Sequence, residues 1–267
     1  MVSGGTTYGW ISLTTDYGRS DGFAAALHGV IARLSPAVRV IDVTHDVRPG
    51  DIARGAAVLA QTVPHLPPAV HVAVVDPGVG TARRAIALTT QNGVLVGPDN
   101  GLLPPAADAL GGIVDAIELT NTAWHGATVS ATFHGRDVFA PVAARLATGA
   151  PPNEAGDAIA ADGLVRLPPP IVAAGVGYVE AEVLTVDRFG NVQLAASGEH
   201  LAALGDHVLV GGARAVRATT FADAPHGSLI LFVDSAGHVA VAINGGRAVV
   251  ALGVEPGDVV RVAAASP

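Results

Sequence analysis

The chain has 267 residues, half of them apolar and only 14% charged, with a formal net charge of -8. That length suits one large domain or two smaller ones with separate cores, and the acidic balance lacks the basic footprint of a nucleic-acid binder. There is no cysteine, and all 15 basic side chains are arginine, so disulfides, thiolate chemistry, Schiff bases and a Walker-type phosphate loop are excluded.

The opening residues MVSGGTTYGW have neither a charged leader nor an apolar core, and no run of about 18 residues is apolar enough to span a bilayer. The expectation is a cytoplasmic protein with no membrane partner. WISLTTD, 10–16, reads as a strand, and GFAAALHGVIARLSP, 22–36, has helical apolar spacing that stops at a proline. VRVIDVTHD, 38–46, is a second strand, followed by a helix over 49–63 with Pro49 in its first turn. VHVAVVD, 70–76, is an almost unbroken apolar run, the pattern of a strand covered on both faces. This alternation predicts an α/β domain with a mostly parallel sheet flanked by helices, in which ligands bind beyond the carboxyl ends of the strands. Asp16, Asp42 and Asp76 stand at or near such ends.

Residues 85–101 read as a hairpin turning at Gln91-Asn92-Gly93. A helix over 104–111 and a strand over 113–119 follow, and His134 precedes a helix that ends near Gly149. Residues 150–177 are rich in Pro, Gly and Ala, which suits a linker. Beyond them, the runs at 178–187, 191–196, 207–212, 228–234, 238–244, 247–253 and 259–265 read as short strands of an all-β barrel. The domain boundaries drawn from this are 1–165 for the α/β domain, 166–177 for the linker and 178–267 for the barrel.

Three groups of residues carry candidate chemistry. Asp76 with Arg83, Arg84 and His134 is either a turn-capping carboxylate with a surface ion pair or a polar site built from a strand end and a distant helix start; spacing leaves both open. TTDYGRSDG, 14–22, is either turn chemistry before a helix or a loop for sugar hydroxyls or an amine. VDRFGN, 186–191, has the composition of a hairpin turn, yet its Phe189 beside Asp187 and Asn191 also offers what an adenine ring needs: an aromatic face with donor and acceptor edges. Asp42, His45, Asp46, Asp76, His134 and Asp137 lack any recognised metal-ligand spacing, so no metal is expected.

Five motifs in order, TTDYG-x-SDGF at 14–23, VVDPGVG-x-x-RR at 74–84, GPDNGLL at 97–103, TFHGRDVFAP at 132–141 and VDRFGN at 186–191, together resemble the S-adenosyl-L-methionine hydroxide adenosyltransferases, hydrolytic relatives of fluorinase and chlorinase. The resemblance covers essentially the whole chain. It implies a homotrimer with sites between the N-terminal domain of one subunit and the C-terminal domain of its neighbour. It also implies conversion of S-adenosyl-L-methionine and water to adenosine and L-methionine, without cofactor or metal.

Carried over by position, the water-holding set falls on Asp76, Arg83 and His134. The same carry-over puts Asp16 on the ribose hydroxyls, Asp21 near the methionine end and Asp187 on the methionine ammonium. Phe189 and Asn191 take the adenine, and Ser235 approaches the methionine carboxylate. The halogenating relatives have tyrosine in place of Asp76, uncharged residues in place of Arg83, and arginine where this chain has Ala236. A carboxylate at position 76 repels a halide and favours water. The alternatives are a chlorinase-like halogenase and a non-catalytic sensor of adenosine or S-adenosyl-L-methionine.

Overall fold

In the computed structural model, which describes residues 6–202 and 204–265, the chain divides at Leu167/Pro168 into two compact units. The first unit opens with β1 (Trp10–Thr15), α1 (Phe23–Leu34), β2 (Arg39–Thr44), α2 (Ile52–Thr62) and β3 (Ala69–Val74). Next come β4 (Ala85–Thr90), β5 (Gly93–Pro98), α3 (Pro104–Ala109), β6 (Ile113–Glu118), a π-helical turn (Gly135–Phe139), α4 (Ala140–Ala147) and β7 (Asp157–Ile159). Its sheet runs β2-β1-β3-β5-β4-β6-β7. The expected parallel character holds for β2, β1, β3 and β5; from β4 to the far edge the pairing is antiparallel.

The apolar runs explain this order. Every residue of β3 and β5 is buried, and so is β1 after Trp10, as strands covered on both faces must be. Val70, Val72 and Val74 of β3 pack in one core with Leu27 and Ile31 of α1 and Val142 and Leu146 of α4. Ala73 and Val75 pack in a second core with Leu59 of α2 and Leu103 and Ala106 near and in α3. Because β1 connects through α1 to β2 on one side and its other neighbour is β3, the chain reverses direction of travel across the sheet between β1 and β3. That is the switch point at which open α/β sheets leave a crevice.

Three expectations change on the structure. Pro49 lies in a turn ahead of α2, where Asp51 caps the helix by accepting from the Arg54 amide at 2.9 Å. The stretch 150–177, read as linker-like, contributes β7 to the first sheet and β8 (Val172–Gly175) to the second. Residues 247–253, read as a strand, form the short helix α5 (Ala248–Leu252), stopped by Gly253 in the left-handed region. Val249 and Leu252, three apart, face the core while Val250 is exposed, a helical spacing that a run of apolar residues conceals.

Apart from α5 and two short 3-10 turns, the regular structure described in the second unit is β: β9 (Tyr178–Val186), β10 (Val192–Ser197), β11 (His207–Val210), β12 (Ala213–Arg217), β13 (Leu229–Val233), β14 (His238–Ile243) and β15 (Val259–Ala264). Pairing of β9 with both β15 and β10 closes seven strands into a barrel, to which β8 adds an outer edge. β9 alternates buried and half-buried positions along its whole length, the pattern of a strand with one face inward. β12 is absent from the strands read in the sequence, where the run ends at Gly212; in the structure Gly211 and Gly212, both at positive φ, form a two-residue turn that joins it to β11.

His71 of β3 is fully buried, with Nδ1 2.8 Å from the Ser12 hydroxyl of β1. Burial lowers its pKa from 6.5 to about 4. In that window the unfolded chain binds a proton that the folded chain refuses. Stability is therefore full above pH 6.5 and falls as pH drops towards 4, by roughly 3 kcal/mol for this one group. His71→Asn, which preserves a partner for Ser12, is expected to show a shallower fall in melting temperature between pH 6.5 and 4; an unchanged slope would reject this assignment.

Candidate active site

β1 and β3 are parallel neighbours with Thr15 opposite Val74. Both chains therefore leave the sheet at the same edge, and the residues delivered there are Asp16 and Asp76. After Asp76 two successive turns, Val79 N–H to Asp76 C=O and Thr81 N–H to Gly78 C=O, fold the Pro-Gly-Val-Gly segment back on itself. Arg83 returns to donate from Nε to both Asp76 oxygens at 3.0 Å and from Nη2 to Oδ2 at 2.5 Å. The two side chains are only 11% and 5% exposed.

The loop is pressed against the segment that carries the third member. Gly80 has φ +77°, and a Cβ there would lie 2.3 Å from the Ala131 carbonyl oxygen, so only glycine permits the approach. Three residues after Ala131, His134 presents Nδ1 to Arg83 Nη2 at 3.0 Å. A guanidinium can only donate. Nδ1 of His134 is thus the acceptor, and in the neutral ring the proton sits on Nε2. Partial burial, aided by the Arg83 cation and opposed by Asp76 and Asp137, lowers the His134 pKa, which keeps the ring neutral near pH 7.

The face of Phe139 lies 5.3 Å from the Arg83 guanidinium carbon, so the cation is enclosed on several sides. Removing one partner of a buried pair strands the other charge and costs about 3–5 kcal/mol. The π-helical turn after His134 begins at Gly135, where an added Cβ would stand 2.2 Å from the Tyr17 hydroxyl. Tyr17 packs edge-on to Phe133 and tilted against Phe23, with ring centroids 5.6 and 6.0 Å away. Burial first, then the Asp16 and Asp76 carboxylates, raise its pKa, and the phenol stays protonated beside the triad. Sequence reasoning passed over Tyr17; its position inside TTDYG, next to Asp16, was the available signal.

Asp76, Arg83 and His134 are thus brought together as a site requires. Asp16 lies on the adjacent loop, its Oδ2 accepting from Gly50 N–H at 2.9 Å. Asp21 is exposed in the turn before α1. Arg84 faces away to Asp99, at 2.5 Å, and to the Gly163 carbonyl, a brace between β4 and the end of the unit.

In the second unit, Asp187 accepts from the Phe189 and Asn191 amides and from Asn191 Nδ2, at 2.8 to 2.9 Å. Asp187 and Asn191 bond each other here, closing their own turn. The Phe189 ring is 73% exposed. Ser235 is exposed in a turn held by Asp234, which accepts from the Ala236 and His238 amides.

Because Arg83 both donates to His134 and repels its protonated form, Arg83→Gln is expected to raise the His134 pKa. An NMR titration of the histidine ring signals reads this directly, and a fall or no change would contradict the geometry.

The sequence matches the family model of the SAM hydroxide adenosyltransferase N-terminal domain over residues 11–156 and that of the C-terminal domain over residues 181–261. It is similar to two proteins named (R)-S-adenosyl-L-methionine hydrolase. One is from Salinispora arenicola, 68% identical, with 96% of this chain and 98% of the relative covered. The other is from Salinispora tropica, 66% identical over the same shares. Among solved structures, an uncharacterized conserved protein from Thermotoga maritima superposes with a TM-score of 0.89 at 34% identity, over 95% of this chain and 99% of that one. With both domain models matched, in order and over most of its length, this chain belongs to the SAM hydroxide adenosyltransferase family.

Proposed function

We propose that the chain hydrolyses S-adenosyl-L-methionine to adenosine and L-methionine, with water attacking C5′ of the ribose in line with the departing sulfur. The observation that carries this reading is the linked Asp76–Arg83–His134 set at the β1/β3 edge. Family membership and the names of the Salinispora relatives support it. The reaction needs no cofactor in this account, because a sulfonium already leaves as a neutral thioether.

Water is a weak nucleophile, with a pKa of about 15.7, so the site must aim it and take up its proton. Asp76 carries the carboxylate that receives this proton. His134 cannot do so through Nδ1, which accepts from Arg83, or through Nε2, which bears the ring proton; that Nε2–H instead orients the water. As the C5′–O bond forms and the C5′–S bond breaks, the O–H proton passes to Asp76 and the sulfonium charge disappears. Holding water and carbon about 3–3.5 Å apart in line contributes on the order of 7 kcal/mol or more. Asp16 binds the ribose hydroxyls in this proposal, and Asp21 lies towards the methionine end.

The proposal extends to a homotrimer in the cytoplasm. Asp187, Phe189, Asn191 and Ser235 of one copy then serve the triad of a neighbouring copy: Phe189 and Asn191 on the adenine, Asp187 on the ammonium, Ser235 near the carboxylate. The resemblance in the motifs supports this, as does the exposure of the Phe189 ring. No helix among the described residues is long and apolar enough to cross a membrane.

Asp76→Asn and His134→Gln, with folding checked by circular dichroism, are expected to lower kcat about 100-fold or more, the usual range for loss of a positioned proton-transfer group. Turnover near wild type in both variants would remove the triad from the mechanism. Incubation in 18O-labelled water should place the label on the 5′-oxygen of adenosine. Unlabelled adenosine, or 5′-chloro-5′-deoxyadenosine formed in the presence of chloride, would overturn hydrolysis as the reaction. Light scattering on the purified chain is expected to return three times the 26.6 kDa chain mass; a monomer mass would refute the shared site.

A further inference from the structure

Away from the triad, three metal-ligating side chains meet at the outer edge of the first sheet. His28 stands in α1, Asp42 in the edge strand β2, and His45 just after β2 ends. Asp42 Oδ1 lies 2.8 Å from His28 Nε2 and 3.1 Å from His45 Nε2, and one ligand atom from each of the three residues lies within 4.8 Å of the other two. A tetrahedral ion with bonds of about 2.05 Å sets its donors roughly 3.3 Å apart. Two edges of the cluster already have nearly that length.

His45 provides an independent indication. Its side chain is 2% exposed, and Nε2 is buried without a hydrogen bond; the nearby Asp42 oxygen lies at ion-pair distance but outside hydrogen-bond geometry. Its other nitrogen, Nδ1, is 2.8 Å from the Thr15 hydroxyl. A proton donated there leaves Nε2 as a lone pair directed at Asp42, the arrangement in which an outer partner orients a ligating histidine.

We propose that His28, Asp42 and His45 bind one divalent transition-metal ion of the zinc class, with water in the fourth position on the open side. Two imidazoles and one carboxylate suit such an ion better than magnesium or calcium, which prefer all-oxygen shells. His28 and Asp42 are 39% and 36% exposed, giving the ion a path of entry. On binding, the ion replaces the proton shared by His28 Nε2 and Asp42. None of its ligands belongs to the triad, so its work is structural. The His45 carbonyl accepts from Gly18 N–H at 2.7 Å, and Thr15 C=O accepts from Val47 N–H at 3.4 Å. The ion therefore fastens α1 and β2 to the turn after β2, which these hydrogen bonds join to the loop that presents Asp16 and Tyr17.

The test is calorimetric titration of the untagged chain, stripped of metal with EDTA, against zinc chloride and separately against magnesium chloride. One zinc ion per chain is expected, with magnesium far weaker. His28→Ala and Asp42→Asn, both at solvent-accessible positions, should each weaken zinc about 100-fold or more, since loss of a direct ligand costs at least as much as loss of an outer partner. Zinc should raise the melting temperature of the parent chain and leave that of either variant unmoved. Absence of zinc binding, binding no tighter than magnesium, or equal affinity in the parent and both variants would overturn the site.

Discussion

The Asp76–Arg83 ion pair constrains everything around it. A pair with both side chains nearly excluded from water repays its desolvation only when the remaining donors and lone pairs are also engaged. Arg83 meets that demand by reaching both Asp76 oxygens, the unprotonated nitrogen of His134 and the face of Phe139. To do so the chain between residues 76 and 83 must double back, and Gly80 must sit where a side chain would strike Ala131. The shape of the loop, the tautomer of His134 and the aim of the Asp76 carboxylate are consequences of one buried guanidinium.

That loop could not be aimed without the sheet beneath it. β1 and β3 are rigid because both are covered by helices, and their parallel register delivers Asp16 and Asp76 to one edge. Arg84, one residue after the triad arginine, points the other way and pairs with Asp99, which in turn accepts from the Val165 amide. Adjacent arginines thus divide the labour: one holds Asp76 and His134 and the other fastens the start of β4 to the end of the unit. Catalysis by preorganised charge needs this kind of support, since groups that must reorganise during the reaction give back much of their benefit.

Asp187 and Asn191 present a different economy. In the chain by itself they satisfy each other. A ligand that takes over either group must replace a bond of 2.8 Å, so it gains only the difference between two hydrogen bonds. The exposed Phe189 ring carries no such penalty, and stacking on it is close to a net gain.

Much of this was legible in the chain. The almost unbroken apolar run at 70–76 required a doubly covered strand, alternating strand and helix required parallel neighbours, and the aspartates at strand ends lay where such sheets bind ligands. Asp76, Arg83 and His134 could be named from motif and resemblance. Other features depended on neighbours distant in sequence. Residues 247–253 formed a helix because their apolar side chains meet the barrel core three residues apart, and the proline-rich stretch gained strands because sheet edges were there to receive it. Tyr17 over Gly135, the donation from Arg83 to His134, and the arrival of His28 beside Asp42 and His45 join residues 14 to 118 positions apart in sequence. Periodicity records which face of an element is apolar, and so the sequence by itself determined the layers of the fold. Which polar groups touch was decided by tertiary packing alone, because a hydrogen bond depends on tenths of an ångström that no local pattern encodes.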